Sequence, residues 1–297
     1  MALNLRGIIP PMLTPLTEQR QVDIKALQRL IDHIISGGAD GLFIMGTSGE
    51  GSWLAEAQCR TLVRETVLAT RRRVPVLVGL LQPSTPRVLD MLTWVQASGV
   101  DAVVITTPFY YIADAAAQEA HIRAVAQASA LPVVLYNIPS KTHNPLQLQV
   151  IEKVIEEPNI IAFKDSSTDF DYFLSALEIC HARPGFRVFQ GSERQSLDAL
   201  RHHADGIVSG LSNLVPDVFV QLMNLVESDQ LAQAEALQAR ITALWELHTH
   251  VFWLTALKYA ASWLGLCSSF TVGHHTPLDA QARAAIEQIV KQNVDMP

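Results

Sequence analysis

Lys164 follows the apolar run Ile160-Ile161-Ala162-Phe163. At the mouth of an apolar strand an ammonium group loses solvation, which favours the neutral amine that a nucleophile needs. A neutral amine attacks a ketone to give an imine. The protonated imine is an electron sink, so carbon–carbon bonds one atom away can form or break. Read alone, a lysine paired with Asp165 or a neighbouring carboxylate is the commoner arrangement at such a position. Tyr136 stands at the end of another apolar run, Pro132–Asn137, where a phenol can move a proton at the reacting carbon. An ordinary half-buried tyrosine fits there too. The string Gly46-Thr47-Ser48-Gly49-Glu50-Gly51 offers two hydroxyls and backbone N–H groups just before a helix begins at Ala55-Glu56-Ala57. Such a loop suits a carboxylate or a phosphate, although it lacks P-loop spacing and a plain turn is the simpler reading.

The elements that must position these residues alternate. Eight short apolar runs occur at Gly7–Leu13, Gly41–Gly46, Val74–Leu80, Ala102–Thr107, Pro132–Asn137, Ile160–Lys164, Arg187–Gly191 and Gly206–Gly210. Most are apolar at nearly every position, as parallel strands covered on both faces are. Between them lie helical periodicities such as Ile24, Leu27, Leu30, Ile31, Ile34 and Ile35, closed by breakers such as Gly37-Gly38 and Gly99. Strands alternating with helices in this number predict an α/β (β/α)₈ barrel, with additional C-terminal helices including Leu231–His250 and Phe252–Gly265. No Pro/Ser-rich linker interrupts the chain. The expectation is one domain over residues 1–297, with the barrel over about 1–230 and a helical extension over about 231–297. Barrel enzymes carry their chemistry at the carboxyl ends of the strands, where Lys164, Tyr136 and the Gly46–Gly51 loop all fall.

Composition narrows the function classes. With 49% hydrophobic and 17% charged residues and a net charge of −7, the chain is core-rich and shows no basic block for nucleic acid or an anionic membrane. Three widely spaced cysteines, Cys59, Cys180 and Cys267, argue against a disulfide framework and for a reducing cytoplasm. The first residues lack the pattern of a signal peptide. The most apolar stretch, Val251–Leu266, is too short to span a bilayer and carries Lys258, so a buried helix is expected. The histidine pairs His202-His203, His248/His250 and His274-His275 are expected on the surface or in loops rather than on a metal. Arg71-Arg72-Arg73 reads as a solvated cap on a helix at the amino-terminal face of the barrel. Trp245, Trp253 and Trp263 read as core or oligomer packing.

Taken together, the segments resemble the dihydrodipicolinate synthase / N-acetylneuraminate lyase family of pyruvate-dependent class I aldolases. The likeness runs from about residue 5 to residue 215. It starts at Gly7-Ile8-Ile9-Pro10-Pro11-Met12-Leu13-Thr14-Pro15 and Val22-Asp23. It continues through Gly41 to Glu50, similar to the family's GTTGE or GSTGE loop, and Thr107-Pro108-Phe109-Tyr110-Tyr111, similar to TPYY. It ends with Tyr136-Asn137-Ile138-Pro139, similar to YNxP, and Lys164-Asp165-Ser166-Ser167, similar to KDSS. Thr276-Pro277-Leu278 resembles the family's C-terminal loop. The resemblance implies that Lys164 forms the Schiff base and Tyr136 transfers protons. It implies that Thr47 and Ser48 bind the keto-acid carboxylate and that one of them links to Tyr136. Tyr110 would complete the relay, in many members by reaching into a neighbouring subunit, and Gly191 and Val208 would line the pocket. It further implies a homotetramer built from dimers and no metal or organic cofactor.

Departures bear on substrate. Where dihydrodipicolinate synthases read SRTG, this chain reads Ser140-Lys141-Thr142-His143, so Lys141 keeps charge but lacks the planar fork of arginine. Where they read NRP, it reads Tyr111-Ile112-Ala113-Asp114. Glu193, just past the seventh run, is placed either to meet a polyol hydroxyl or to stand solvated. These features favour a lyase or aldolase of a 2-keto-3-deoxy acid. Condensation of pyruvate with aspartate semialdehyde is the alternative, and a non-catalytic keto-acid-binding barrel the alternative of another class. Ser209-Gly210-Leu211-Ser212-Asn213 matches a phosphate-binding loop only faintly.

Overall fold

A computed structural model describes residue 3, residues 5–273 and residues 277–295 of the chain. His274, His275 and Thr276 lie outside the described residues. Eight strands form the sheet: β1 Gly7–Ile8, β2 Leu42–Ile44, β3 Val76–Gly79, β4 Ala102–Thr106, β5 Val133–Asn137, β6 Ile160–Asp165, β7 Arg187–Gln190 and β8 Gly206–Ile207. All pairings are parallel, β2 to β8 in sequence and β8 onto β1. An isolated parallel bridge from Pro11 to Phe43 closes the ring between β1 and β2, with Met12 N donating to Phe43 O at 2.8 Å and Phe43 N to Pro10 O at 3.0 Å. The architecture is the (β/α)₈ barrel with C-terminal helices that the alternation predicts.

Two expected strands are shorter than their apolar runs. The run from Gly7 yields only Gly7–Ile8, because Pro10 and Pro11 carry no N–H for a ladder. The run from Gly206 stops at Ile207 and turns into a 3₁₀ helix, Gly210–Asn213, capped by the Ser209 hydroxyl accepting from Leu211 N. In the C-terminal part, the helix expected over Leu231–His250 ends at Trp245 and continues as a 3₁₀ turn over Glu246–Thr249, and the next helix spans Trp253–Trp263.

Strand parity divides the core in two. Leu135, Phe163, Val188 and Ile207 face outward onto the helices, as on helix Ile24–Ser36, whose Leu27, Leu30, Ile31 and Ile34 are buried. Val134, Tyr136, Ala162, Phe189 and Val208 face inward and fill the barrel. Lys164 lies two residues after Ala162, so the same parity turns it inward at the carboxyl-terminal mouth. Among the described residues no helix is long and apolar enough to cross a membrane. The expected cap at Arg71–Arg73 is carried by Arg73, which donates to Ala69 O and Thr70 O at the end of its helix and pairs with Asp32 at 2.7 Å.

Candidate active site

Register brings the chemistry together. Tyr136 of β5 stands opposite Lys164 of β6, and Lys164 opposite Phe189 of β7. Lys164 is 5% exposed, and its Nζ lies 4.1 Å from the centre of the Tyr136 ring and 5.5 Å from that of Phe43. No ion pair among the described residues involves it. Asp165, the partner that a structural lysine would take, faces the other way. Its carboxylate accepts from Asn137 Nδ2 at 2.7 Å and from Ser167 Oγ at 2.7 Å. Burial pushes the Asp165 carboxyl above the usual range, against these hydrogen bonds. Glycine is needed beside the lysine: a Cβ on Gly191 would lie 2.8 Å from Lys164 Cε and 2.0 Å from Ser166 Oγ.

The Gly46–Gly51 loop is pinned from outside the barrel. Its Glu50 has a left-handed backbone, φ 57°, and its carboxylate is fully buried against Lys258 of helix Trp253–Trp263. Lys258 also donates to Thr14 O at 2.9 Å and Phe270 O at 2.6 Å, and Glu50 accepts from Val272 N at 2.6 Å. Burial lowers the Lys258 pKa, and the Glu50 carboxylate opposes that shift. Thr14 Oγ1 donates to Gly49 O at 2.6 Å. So anchored, the loop presents Thr47 and Ser48 to a cavity of about 270 Å³.

That cavity is lined by every residue that the sequence nominated except one: Thr47, Ser48, Tyr136, Lys141, Lys164, Gly191, Glu193 and Val208. The exception is Tyr110, which is 85% exposed, adopts φ 77° and meets Tyr111 edge-on, ring centres 5.0 Å apart. Within this chain it is not brought to Tyr136. Glu193 is not a solvated carboxylate. Its Oε1 accepts from Ser209 Oγ at 3.1 Å and Gly210 N at 3.0 Å.

The far wall was not foreseen. Trp245, His248, Trp253 and Leu257, all from the C-terminal extension, line the cavity, and so does Arg194. His248 is therefore not a surface histidine, and Trp245 and Trp253 do more than pack the core. The imidazole ring sits between the two indoles, 6.0 Å from Trp245 and 6.3 Å from Trp253, with Nδ1 3.2 Å from Trp253 O. Burial lowers the His248 pKa, and Glu193 opposes. No sequence signal marked these residues, because their spacing is that of packed helices. His202, His203 and His250 are exposed, as expected. A neighbouring chamber of about 360 Å³ shares Thr47, Ile138, Lys141 and Trp253 and is walled by Trp53, Phe109 and Phe252.

The model of the dihydrodipicolinate synthetase family matches residues 4–293. A 4-hydroxy-tetrahydrodipicolinate synthase of Phenylobacterium zucineum strain HLK1 is 30% identical over 284 residues, 95% of each chain. A probable 2-dehydro-3-deoxy-D-pentonate aldolase of Escherichia coli strain K12 is 29% identical over 265 residues, 88% of this chain and 87% of that one. Among solved structures, a prophage protein of the dihydrodipicolinic acid synthase family from E. coli K12, in complex with pyruvate, superposes with a TM-score of 0.92 at 27% identity. That match covers 97% of this chain and 98% of the other.

Proposed function

From the premise that this chain belongs to the dihydrodipicolinate synthetase family, we propose that it is a Schiff-base-forming lyase that cleaves a 2-keto-3-deoxy acid to pyruvate and an aldehyde, or runs the same bond in reverse. The observation that carries this reading is Lys164: buried, without a carboxylate partner among the described residues, over the Tyr136 ring and open to the cavity. In this reading the Lys164 amine attacks C2 of the keto acid and water leaves. The C3–C4 electron pair then moves into the protonated imine as the C4 hydroxyl gives up its proton, and the aldehyde departs. The enamine takes a proton at C3, and water hydrolyses the pyruvate imine to free the lysine. Tyr136 moves the protons. The Thr47 and Ser48 hydroxyls and amides hold the C1 carboxylate, Gly191 and Val208 shape the pocket, and Lys141 and Glu193 meet the remainder of the substrate. The electron sink is the imine itself, so this chemistry calls for no metal or organic cofactor. Tyr110 joins the relay only if a second copy docks on the exposed Tyr110-Tyr111-Ile112 strip, as in a homotetramer built from dimers. Three buried free cysteines support a cytoplasmic setting.

Condensation of pyruvate with aspartate semialdehyde is the second reading. It is favoured by the name of the Phenylobacterium relative and disfavoured by Lys141 in place of arginine. The test of the shared step is borohydride reduction in the presence of pyruvate, followed by intact mass and peptide mapping. The expected result is a pyruvyl adduct on Lys164, absent from Lys164→Ala with an unchanged circular dichroism spectrum. No adduct with pyruvate or with larger 2-keto acids would remove the mechanism.

A further inference from the structure

The cavity is more cationic than the chain. Lys141, Lys164 and Arg194 line it against Glu193 alone, in a molecule of net charge −7. On the reading above Thr47 and Ser48 take the keto-acid carboxylate, and the exposed Lys141 and Arg194 at the same cavity are left for another group. Neither takes part in an ion pair among the described residues. Each instead lies on an indole: Arg194 Cζ is 4.2 Å from the Trp245 ring centre and Lys141 Nζ 5.6 Å from that of Trp253. His248 lies beside both tryptophans, so the lining of the cavity that holds Lys164 includes three neighbouring rings with a cation over each indole.

The turn that carries Arg194 is tied down, and its side chain reaches the exposed rim of the cavity. Arg194 projects from the 3₁₀ turn Glu193–Gln195. Gln190 Oε1 accepts from Gly191 N and Ser192 N at 2.8 and 2.9 Å, and Gln238 Nε2 donates to Glu193 O at 3.0 Å. Gln195 Nε2 donates to Thr168 O at 3.0 Å, and the Glu193 carboxylate is tied to Ser209 and Gly210. A guanidinium over an indole still has N–H donors to offer, and two of them match a carboxylate in a two-point contact.

We infer that the substrate ends in a second acidic group, held by Arg194 on the Trp245 face with Lys141 across the mouth, so that the enzyme works on a 2-keto-3-deoxy diacid in preference to the acid with a neutral polyol tail. This rests on the Schiff-base reading of Lys164. The test is a pair of 2-keto-3-deoxy acids of equal length, one ending in a carboxylate and one in a primary alcohol, assayed for pyruvate release. Wild-type protein is expected to favour the diacid. Arg194→Gln is expected to lower its kcat/KM about tenfold, mainly through KM, and to lower that of the alcohol-ended acid much less. Trp245→Leu, which keeps the charge and removes the shelf, is expected to lose part of the same preference. Pyruvate trapping on Lys164 should be equal in wild type and Arg194→Gln. Trapping with no preference for the diacid, or an equal fall for both acids in Arg194→Gln, overturns this inference alone. Absence of trapping in wild type overturns it together with the mechanism.

Discussion

At the scale of single residues, the proposed role of Lys164 depends on what is missing beside it. Gly191 leaves room that a methyl group would take from both Lys164 and Ser166. Gly191→Ala is expected to slow imine formation at least tenfold while costing only about 1–3 kcal/mol of stability, the usual range for over-packing. Stopped-flow trapping beside a urea melt separates the two effects. A variant that traps pyruvate at the wild-type rate would show that Lys164 has another way to reach the substrate. Lys164 and Tyr136 were legible in the sequence because each sits near the end of a continuous apolar run, where strand parity fixes its direction. Whether Asp165 neutralises the lysine was not legible. That depends on Asn137 and Ser167 drawing its carboxylate to the other side of the strand.

At the scale of elements, two buried polar contacts join pieces far apart in the chain. Glu50 and Lys258 tie the Gly46–Gly51 loop to helix Trp253–Trp263, both side chains fully buried. Removing one partner strands a charge, so Lys258→Met is expected to cost about 3–5 kcal/mol in urea unfolding, and Glu50→Leu with Lys258→Met much less. An equal loss in the double variant would show that the pair itself, and not the stranded carboxylate, sets the stability. His121 joins helix Ala115–Ala128 to its neighbours: Nδ1 is 2.8 Å from Thr85 Oγ1 and Nε2 3.2 Å from Thr106 O. Burial lowers its pKa below the ordinary value of 6.5, with the Thr106 carbonyl opposing. Below that value the unfolded chain binds the proton and the folded chain resists it, so this contribution to stability falls as pH drops through about 6.5 and is restored as pH rises. Buried Asp165 is shifted upward and acts in the opposite sense. The decisive comparison is therefore between proteins: His121→Gln should melt lower than wild type at pH 7.5, and its melting temperature should fall less between pH 7.5 and pH 5.5. Parallel curves would remove His121 as the titrating group.

At the scale of the whole molecule, the site draws on both ends of the chain. The barrel strands were readable from hydrophobic runs and glycine stops, and they supply Lys164 and Tyr136, with Val208 just after β8. Trp245, His248 and Trp253 were not readable as site residues, since helical spacing looks the same whether a face meets a core or a cavity. Tyr110 shows the converse: its motif was plain, yet its place is an exposed strip with Tyr111 and Ile112, at 85%, 80% and 78% exposure. If that strip seats a second copy, Ile112→Glu should shift the species seen by sedimentation velocity toward monomer and lower kcat. An unchanged assembly with full activity would separate Tyr110 from the relay.

The buried Glu50–Lys258 pair also has a meaning in time. Its partners are 208 residues apart. At a synthesis rate of roughly 5–20 residues per second, the carboxylate of Glu50 emerges about 10–40 s before the ammonium that will neutralise it. Throughout that interval the loop that carries Thr47 and Ser48 has no counter-ion and no reason to leave water. The nascent barrel can assemble its strands in order, but the end of its mouth that carries the Gly46–Gly51 loop forms last. A chain that stops short of Lys258 would therefore carry Lys164 in its barrel and a Gly46–Gly51 loop without its anchor.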